Sequence, residues 1–442
     1  MRARARQCWA FVAEAGGVSV AVVLPLLFNP WQRAAFEPAK VTALLAIVVA
    51  MSALSLICAF KSGRAGKAVP LSRHPLFWPV TALVIAHVSA TVSSDAPTHS
   101  LWGKLHNPQG LLTTLGLAAL FLLLARGLVS EGQLHRIVTA LIFGSIPVTI
   151  YGLAQFVGLD PLPWITDSVS PVFSTLGRSN FLGAYLAMII PLTLSRIVSG
   201  AGRRYTVVLM LQVTCLWLTL ARAAWLGFVI GTLLFAGSLA RRWRNAVLSW
   251  LFVLVTLFGS ALYVAMDTTA LRRPASAEGS SPPPGELRQA SIHARLIIWQ
   301  TTLGLIGQRW LLGYGPDQFQ TVFAANYPPD LARFERPQVI VDDPHNMVLG
   351  QLMTAGVVGL ATLLGIHINF YRIVLKVLRH CRNLSEASTP AAFIASLTAF
   401  LVQAQFVPNV IVPLALAWLV LALGTGQHML SMVERRAGEE QS

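Results

Sequence analysis

The chain has 442 residues, of which 55% are hydrophobic and only 12% charged, with a mean hydropathy of +0.63. That composition belongs to a bilayer-embedded protein and excludes a soluble cytosolic enzyme. The formal charge of +15 would suggest nucleic acid in a soluble protein, but here the 33 Lys and Arg residues fall mainly in short segments between apolar stretches. They read as topology signals, and no nucleic-acid partner is expected.

Apolar windows in chain order predict an all-α integral membrane protein with about twelve transmembrane helices, near 10–28, 41–60, 75–93, 110–125, 137–157, 181–195, 205–220, 223–240, 246–266, 345–371, 391–406 and 409–430. The basic N-terminal stretch ahead of Phe28 resembles a signal peptide without a clear cleavage site, so it is expected to be retained as the first span. Residues 205–240 would form a helix of ~54 Å against a hydrocarbon core of ~30 Å. A break is therefore expected at Arg222, although no Gly or Pro marks it.

With the N-terminus placed inside, 21 of the 33 basic residues fall on the inner side and 12 on the outer, seven of these in the long loop 267–344. Both termini are then expected in the cytoplasm, with three regions: helices 1–266, a periplasmic loop domain 267–344, and helices with a cytoplasmic tail, 345–442. Within the loop, Pro274 to Glu286 is rich in Pro, Ser and Gly and is expected to be poorly ordered. Ile292, Leu296, Trp299, Leu303 and Ile306 then recur at helical spacing and predict an amphipathic helix on the outer surface. Cys8, Cys58, Cys215 and Cys381 lie far apart with no paired spacing, and all four read as inert.

Few residues are placed for chemistry. His345 follows Asp342-Asp343-Pro344 and opens an apolar run, so Asp343 is expected to cap a helix that starts at Pro344. An imidazole in that first turn suits a general base, and the alternative is a histidine that merely decorates a membrane interface. Arg222, flanked closely by apolar sequence, is costly there unless it faces a wet cavity or an anion; the alternative is a snorkelling residue at a span end. Arg295, and less directly Arg288 and Arg178, are further candidates for a phosphate site, since guanidinium forks match phosphate oxygens; a solvated helix face is the alternative for each. Asp342, Asp343 and His345 together suggest a metal, but three adjacent residues do not complete a coordination sphere, so neither metal nor cofactor is expected. Gly313-Tyr314-Gly315-Pro316 reads as a tight turn.

In order, the segments Ser100-Leu101-Trp102-Gly103 with Gln109-Gly110-Leu111, Tyr151 to Gln155, Gly177 to Leu186, Ala221 to Gly227, Arg295 to Trp299, Leu312 to Gly315, and His345-Asn346 followed by Gly356 resemble the O-antigen ligase and polymerase superfamily of bacterial inner membranes. The resemblance spans about 100 to 360. The sequence departs from it at Arg178-Ser179, where relatives often have Asn-Pro, and at Ala221 and Ala223, which flank Arg222 in place of Ser and Gly. The resemblance implies a GT-C-like glycosyltransferase that moves a glycan from an undecaprenyl diphosphate carrier to lipid A-core oligosaccharide in the periplasm, without metal and with inversion. Arg222 and Arg295 would hold the diphosphate and His345 would act as base, with Arg288, Arg178, Asn346 and Asp343 as possible contributors. A polymerase or a protein-glycosylating enzyme of the same superfamily is the alternative, and a transporter of the lipid-linked glycan is the alternative from another class.

Overall fold

The computed structural model describes residues 2–32, 34–62, 71–104, 107–162, 172–239, 284–333 and 340–439. Its helices are α1 (Arg2–Leu26), α2 (Glu37–Ser62), α3 (Phe77–Val92), α4 (Pro97–Trp102), α5 (Leu111–Gly127), α6 (Glu131–Phe156), α7 (Ser179–Val198), α8 (Arg204–Leu218), α9 (Arg222–Leu239), α10 (Pro284–Gln308), α11 (Phe319–Ala325), α12 (Met347–His380), α13 (Leu384–Gln403) and α14 (Ile411–Glu439). Among the described residues there is no strand. Eight of these helices are long and apolar enough to cross a membrane, and α3, α5 and α8 are shorter apolar helices. Every expected span coincides with one of these eleven except 246–266, which lies outside the described residues. The all-α, multi-pass expectation therefore holds.

The break between α8 and α9 falls where length alone required one. Leu220 adopts φ +54°, and the chain ends exposed by the break are capped locally. Ala221 N–H donates to Thr219 Oγ1 at 3.3 Å, and the Trp225 indole donates to Leu216 O at 3.1 Å. These bonds serve backbone groups that a helix end leaves without partners. No glycine is needed because side chains do the capping.

The centre of the bundle is α7, buried along almost its whole length and packed on α13 and α8. Small residues permit the close approach of α9 to α13: a Cβ at Gly227 would lie 2.6 Å from Ala399 O, and one at Gly231 would lie 2.9 Å from Ala395 O. The two helices thus run antiparallel with 227 level with 399. Glu14, the acid inside the first span, is ion-paired with Arg136.

α12 is interrupted at Ala355 and Gly356, whose backbone is non-helical. Gly356 sits at φ +60°, where a Cβ would run into Leu311 O. The opened backbone groups are bonded to the Gly313–Gly315 turn: Tyr314 N–H to Met353 O at 2.7 Å, Gly315 N–H to Thr354 O at 3.0 Å, and Val357 N–H to Trp310 O at 2.8 Å. The expected tight turn is therefore also a strap across the break in α12. A second small core, including Ala294, Ile298, Leu305, Phe319, Phe323 and Met353, sits over this strap.

Two expectations are corrected here. α10 forms, but its buried face is Ala294, Ile298, Thr302, Leu305 and Ile306, while Leu296 and Leu303 are exposed. Apolar spacing allowed two overlapping stripes, and α10 packs through the one rotated from the predicted stripe. The Pro, Ser and Gly stretch lies outside the described residues except for Pro284 to Glu286, which begin α10. The cysteines are not all unpaired: antiparallel packing of α1 on α2 brings Cys8 and Cys58 into a disulfide with Cα atoms 5.9 Å apart, while Cys215 and Cys381 are buried and take no part in it.

Candidate functional site

The segment leading into α12 does not start the helix where expected. Asn346 is the cap, accepting N–H bonds from Val348 at 3.0 Å and Leu349 at 3.1 Å. Asp343 instead accepts the N–H of His345 at 2.6 Å. This closes a short turn in which His345 takes φ +53°, so the chain cannot enter a helix at Pro344. The imidazole Nδ1 is 3.7 Å from the same Asp343 oxygen, outside hydrogen-bond reach, and is buried with no hydrogen-bond partner among the described residues.

Four bonds from separate parts of the chain fix this turn. The Trp299 indole on α10 donates to Pro344 O at 2.8 Å, and Met347 N–H donates to Ala404 O at 2.9 Å. Asn346 Nδ2 donates to Gln405 O at 3.4 Å. Lys104 Nζ donates to Asp342 O at 2.9 Å and pairs with Asp317 at 3.2 Å. Asp317, held at φ +61° after the strap, also accepts the N–H groups of Lys104 at 2.5 Å and Gln109 at 3.4 Å. Sequence reasoning missed Lys104 and Asp317. The available signal was a lysine in an outer segment otherwise poor in positive charge.

The arginines converge on the same end of the bundle. Arg295 lies one turn from Trp299 and so next to the His345 turn along α10. Continuing the α9–α13 register about one and a half turns places Arg222 level with Ala404, whose carbonyl holds Met347. Arg178 precedes α7, whose Gly183 packs against Ala221 and Ala224 beside Arg222. The loop carrying Arg178 is tied down by Lys40, a fully buried lysine that donates to Thr175 O at 2.5 Å, and by Gln155, whose Oε1 accepts from Ser174 N–H at 2.7 Å. Arg288 lies in α10, with its side chain outside the described residues.

Few arginines among the described residues have a carboxylate partner, and what sets these three apart is their place at the His345 end of the bundle. Arg136 is paired with Glu14, Arg309 with Asp95 at 2.7 Å, and Arg196 is bonded to His135. Arg178 is exposed and lies over the Phe181 ring at 5.7 Å, Arg222 is exposed, and Arg295 is half-buried. None of the three has a carboxylate partner among the described residues. Burial holds the Arg295 guanidinium below its usual value, and at neutral pH it remains a cation. A half-buried cation without a protein counter-ion leaves its charge available to an anionic group.

Backbone strain is concentrated here as well. Among the described residues, the non-glycine residues with positive φ are Ser174, Leu220, Asp317 and His345. They precede Arg178, precede Arg222, bind Lys104, and form the candidate base itself. Residues held in such conformations cluster at functional sites. Among the described residues no group of three His, Cys, Asp or Glu side chains could hold a metal ion.

A family model described as O-antigen ligase matches residues 205–364. The match runs from α8 into α12 and includes Arg222, Arg288, Arg295, Asp343, His345 and Asn346, leaving Arg178 outside. No curated protein matches the chain.

Proposed function

We propose that this chain is an O-antigen ligase: a membrane glycosyltransferase that transfers a glycan from undecaprenyl diphosphate to lipid A-core oligosaccharide on the periplasmic side of the bacterial inner membrane. The observation that carries the reading is the convergence, at one end of the bundle, of carboxylate-free arginines with a histidine held in a strained turn.

The chemistry follows from these groups. His345 takes the proton of an acceptor hydroxyl, whose oxygen attacks the anomeric carbon of the donor. The bond from that carbon to the carrier phosphate breaks, and its electron pair leaves on the diphosphate. Arg222 and Arg295 stabilise this developing charge, with Arg178 and Arg288 at the margin. Asp343 positions the histidine through the backbone bond at 2.6 Å, and Asn346 anchors the following helix. A single displacement inverts the anomeric centre. Membrane lipids surround the bundle, and the excess of basic residues at the end opposite His345 supports a periplasmic site with cytoplasmic termini.

The test uses the full chain purified in detergent, with lipid-linked glycan donor and lipid A-core acceptor. A new covalent glycan linkage on the acceptor is expected. Extension of the carrier-linked glycan alone makes the protein a polymerase, and movement of intact donor across a reconstituted bilayer without a new linkage makes it a transporter.

A further inference from the structure

α12 has 34 residues and begins just after the His345 turn, so it is ~51 Å long against a hydrocarbon core of ~30 Å. Its last turns therefore project past the core at the end of the bundle opposite His345. One face of this half is buried through Phe370, Ile373, Val374 and Val377 and packs on α14, where a Cβ at Gly424 would lie 2.7 Å from Phe370 Cε2. The opposite face changes character along its length. Leu364 and Ile368 are exposed, and beside them a Cβ at Gly365 would meet nothing within 4 Å, which leaves an apolar notch. One turn further on, the same face carries Arg372, Lys376 and Arg379, all exposed and at i, i+4 and i+7, with the exposed Leu375 among them.

These three cations form no ion pair among the described residues. Glu386, the acid that follows them in the chain, is engaged in the cap of α13, where it accepts Arg382 N–H at 2.9 Å and Asn383 Nδ2 at 2.6 Å. Like charges one turn apart on a helix repel, so the stripe is held without compensation from the protein. A topology signal requires only a number of cations on one side of the membrane. It does not require them on one helix face, in line with an apolar notch. α3 packs antiparallel on α12 and brings the exposed Arg73 and Trp78 to this same end. An exposed indole next to a span marks the headgroup level.

We propose that this face of α12 binds an acidic phospholipid of the leaflet at that end, with an acyl chain along Leu364, Gly365 and Ile368 and the phosphate held by Arg372, Lys376 and Arg379. Charge and apolarity are arranged along the helix as they are along such a lipid. The two guanidinium forks match phosphate oxygens, and the lysine adds a point charge between them. A soluble phosphate ester would answer the cations alone, and the adjoining notch is what selects a lipid. Each cation near an anionic lipid surface contributes about fivefold in affinity, so the three together contribute about 100-fold. Only the naming of this leaflet as the inner one rests on the orientation proposed above.

The test uses the full chain, delipidated in a non-ionic detergent and titrated with dioleoyl phosphatidylglycerol, dioleoyl phosphatidylcholine or the chain-free ester glycerophosphoglycerol. Bound lipid is counted by native mass spectrometry, and thermal unfolding is followed in the same samples. Wild type should prefer phosphatidylglycerol to phosphatidylcholine by about 100-fold and melt higher in its presence, and the chain-free ester should bind far more weakly. The triple variant Arg372→Gln, Lys376→Gln, Arg379→Gln should lose that preference while binding phosphatidylcholine like wild type. Because all three side chains are exposed, it should also melt like wild type in phosphatidylcholine. Should the triple variant fail to purify, the single variant Lys376→Gln should weaken phosphatidylglycerol binding about fivefold. Arg203→Gln, which removes an exposed cation at the same end but off this face, should leave the preference unchanged. Equal binding of the two lipids by wild type, an unchanged preference in the triple or the Lys376→Gln variant, or equal loss in Arg203→Gln overturns the proposal. Binding of the chain-free ester as tightly as the lipid overturns it in favour of a soluble phosphate ester. The assay uses neither glycan donor nor acceptor, so its outcome is independent of the ligase reading.

Discussion

Replacing Lys104 by Met removes the one cation that joins the α4–α5 connection, the strap and the acidic turn. The Lys104 and Asp317 side chains are 15% and 8% exposed and lie 3.2 Å apart, so the pair is buried enough that losing one partner strands a charge. One-sided loss of a buried pair costs about 3–5 kcal/mol. Asp317 keeps two N–H donors, Lys104 at 2.5 Å and Gln109 at 3.4 Å, which places the expected destabilisation near the lower limit, about 3 kcal/mol. Lys104→Met also deletes the bond to Asp342 O at 2.9 Å and so loosens the turn that aims His345. A displacement of about 1 Å at a reacting group is worth roughly 10²-fold in rate. The double variant with Asp317→Asn separates the two effects. Removing the stranded charge should recover about 2 kcal/mol of stability, whereas the Asp342 bond stays broken and transfer stays slow. The assay pairs thermal unfolding in detergent with single-turnover transfer for wild type, both single variants and the double. Wild-type transfer by Lys104→Met, or recovery of rate together with stability in the double variant, refutes a positioning role.

Arg222→Ala and Arg295→Ala should weaken donor-lipid binding as well as turnover, with Lys rescuing in part because it keeps charge but loses the fork; His345→Ala should slow transfer about 10²–10⁴-fold at unchanged donor affinity, measured by lipid binding beside single turnover. Full transfer by His345→Ala would end its assignment as base. Exhaustive EDTA treatment should leave transfer intact, and loss of activity restored by a divalent ion would reassign Asp342 and Asp343 as ligands. A phosphatase active only in the periplasm should work when fused near Ser280 and be silent after Arg436.

Helices and breaks were legible because hydrophobicity and length are local properties. The Arg222 break followed from the bilayer thickness alone, without a residue to mark it, and the structure puts α9 at that residue. The candidate arginines and His345 were legible for a related reason: a cation or imidazole beside apolar sequence is conspicuous by its cost. What failed were predictions that required one of two local solutions to be chosen by distant contacts. Asp343 and Asn346 can both cap a helix, and bonds to Trp299, Ala404 and Gln405 select Asn346 by fixing the turn before it. α10 carries two overlapping apolar stripes, and the small core beneath it selects one.

The illegible part of the site is its long-range wiring. Lys104 and Asp317 are 213 residues apart, Lys40 and Thr175 are 135 apart, and Gln109 reaches the Asn409 carbonyl across 300. None of these residues has local context that advertises a partner. The positive-φ residues are equally silent in sequence, since Leu at φ +54° contradicts local preference at Leu220 and persists only because surrounding contacts over-determine it. This explains why the short motifs that suggested a family look weak one at a time. Gln155 holds the loop before Arg178, Ser100 accepts from Gln318 at 2.9 Å beside the strap, and Gly356 opens α12 for that strap. Each motif is one end of a tether whose other end lies elsewhere in the chain. Their common effect is to hold His345 and the arginines at one end of a bundle whose helices alone would not fix them.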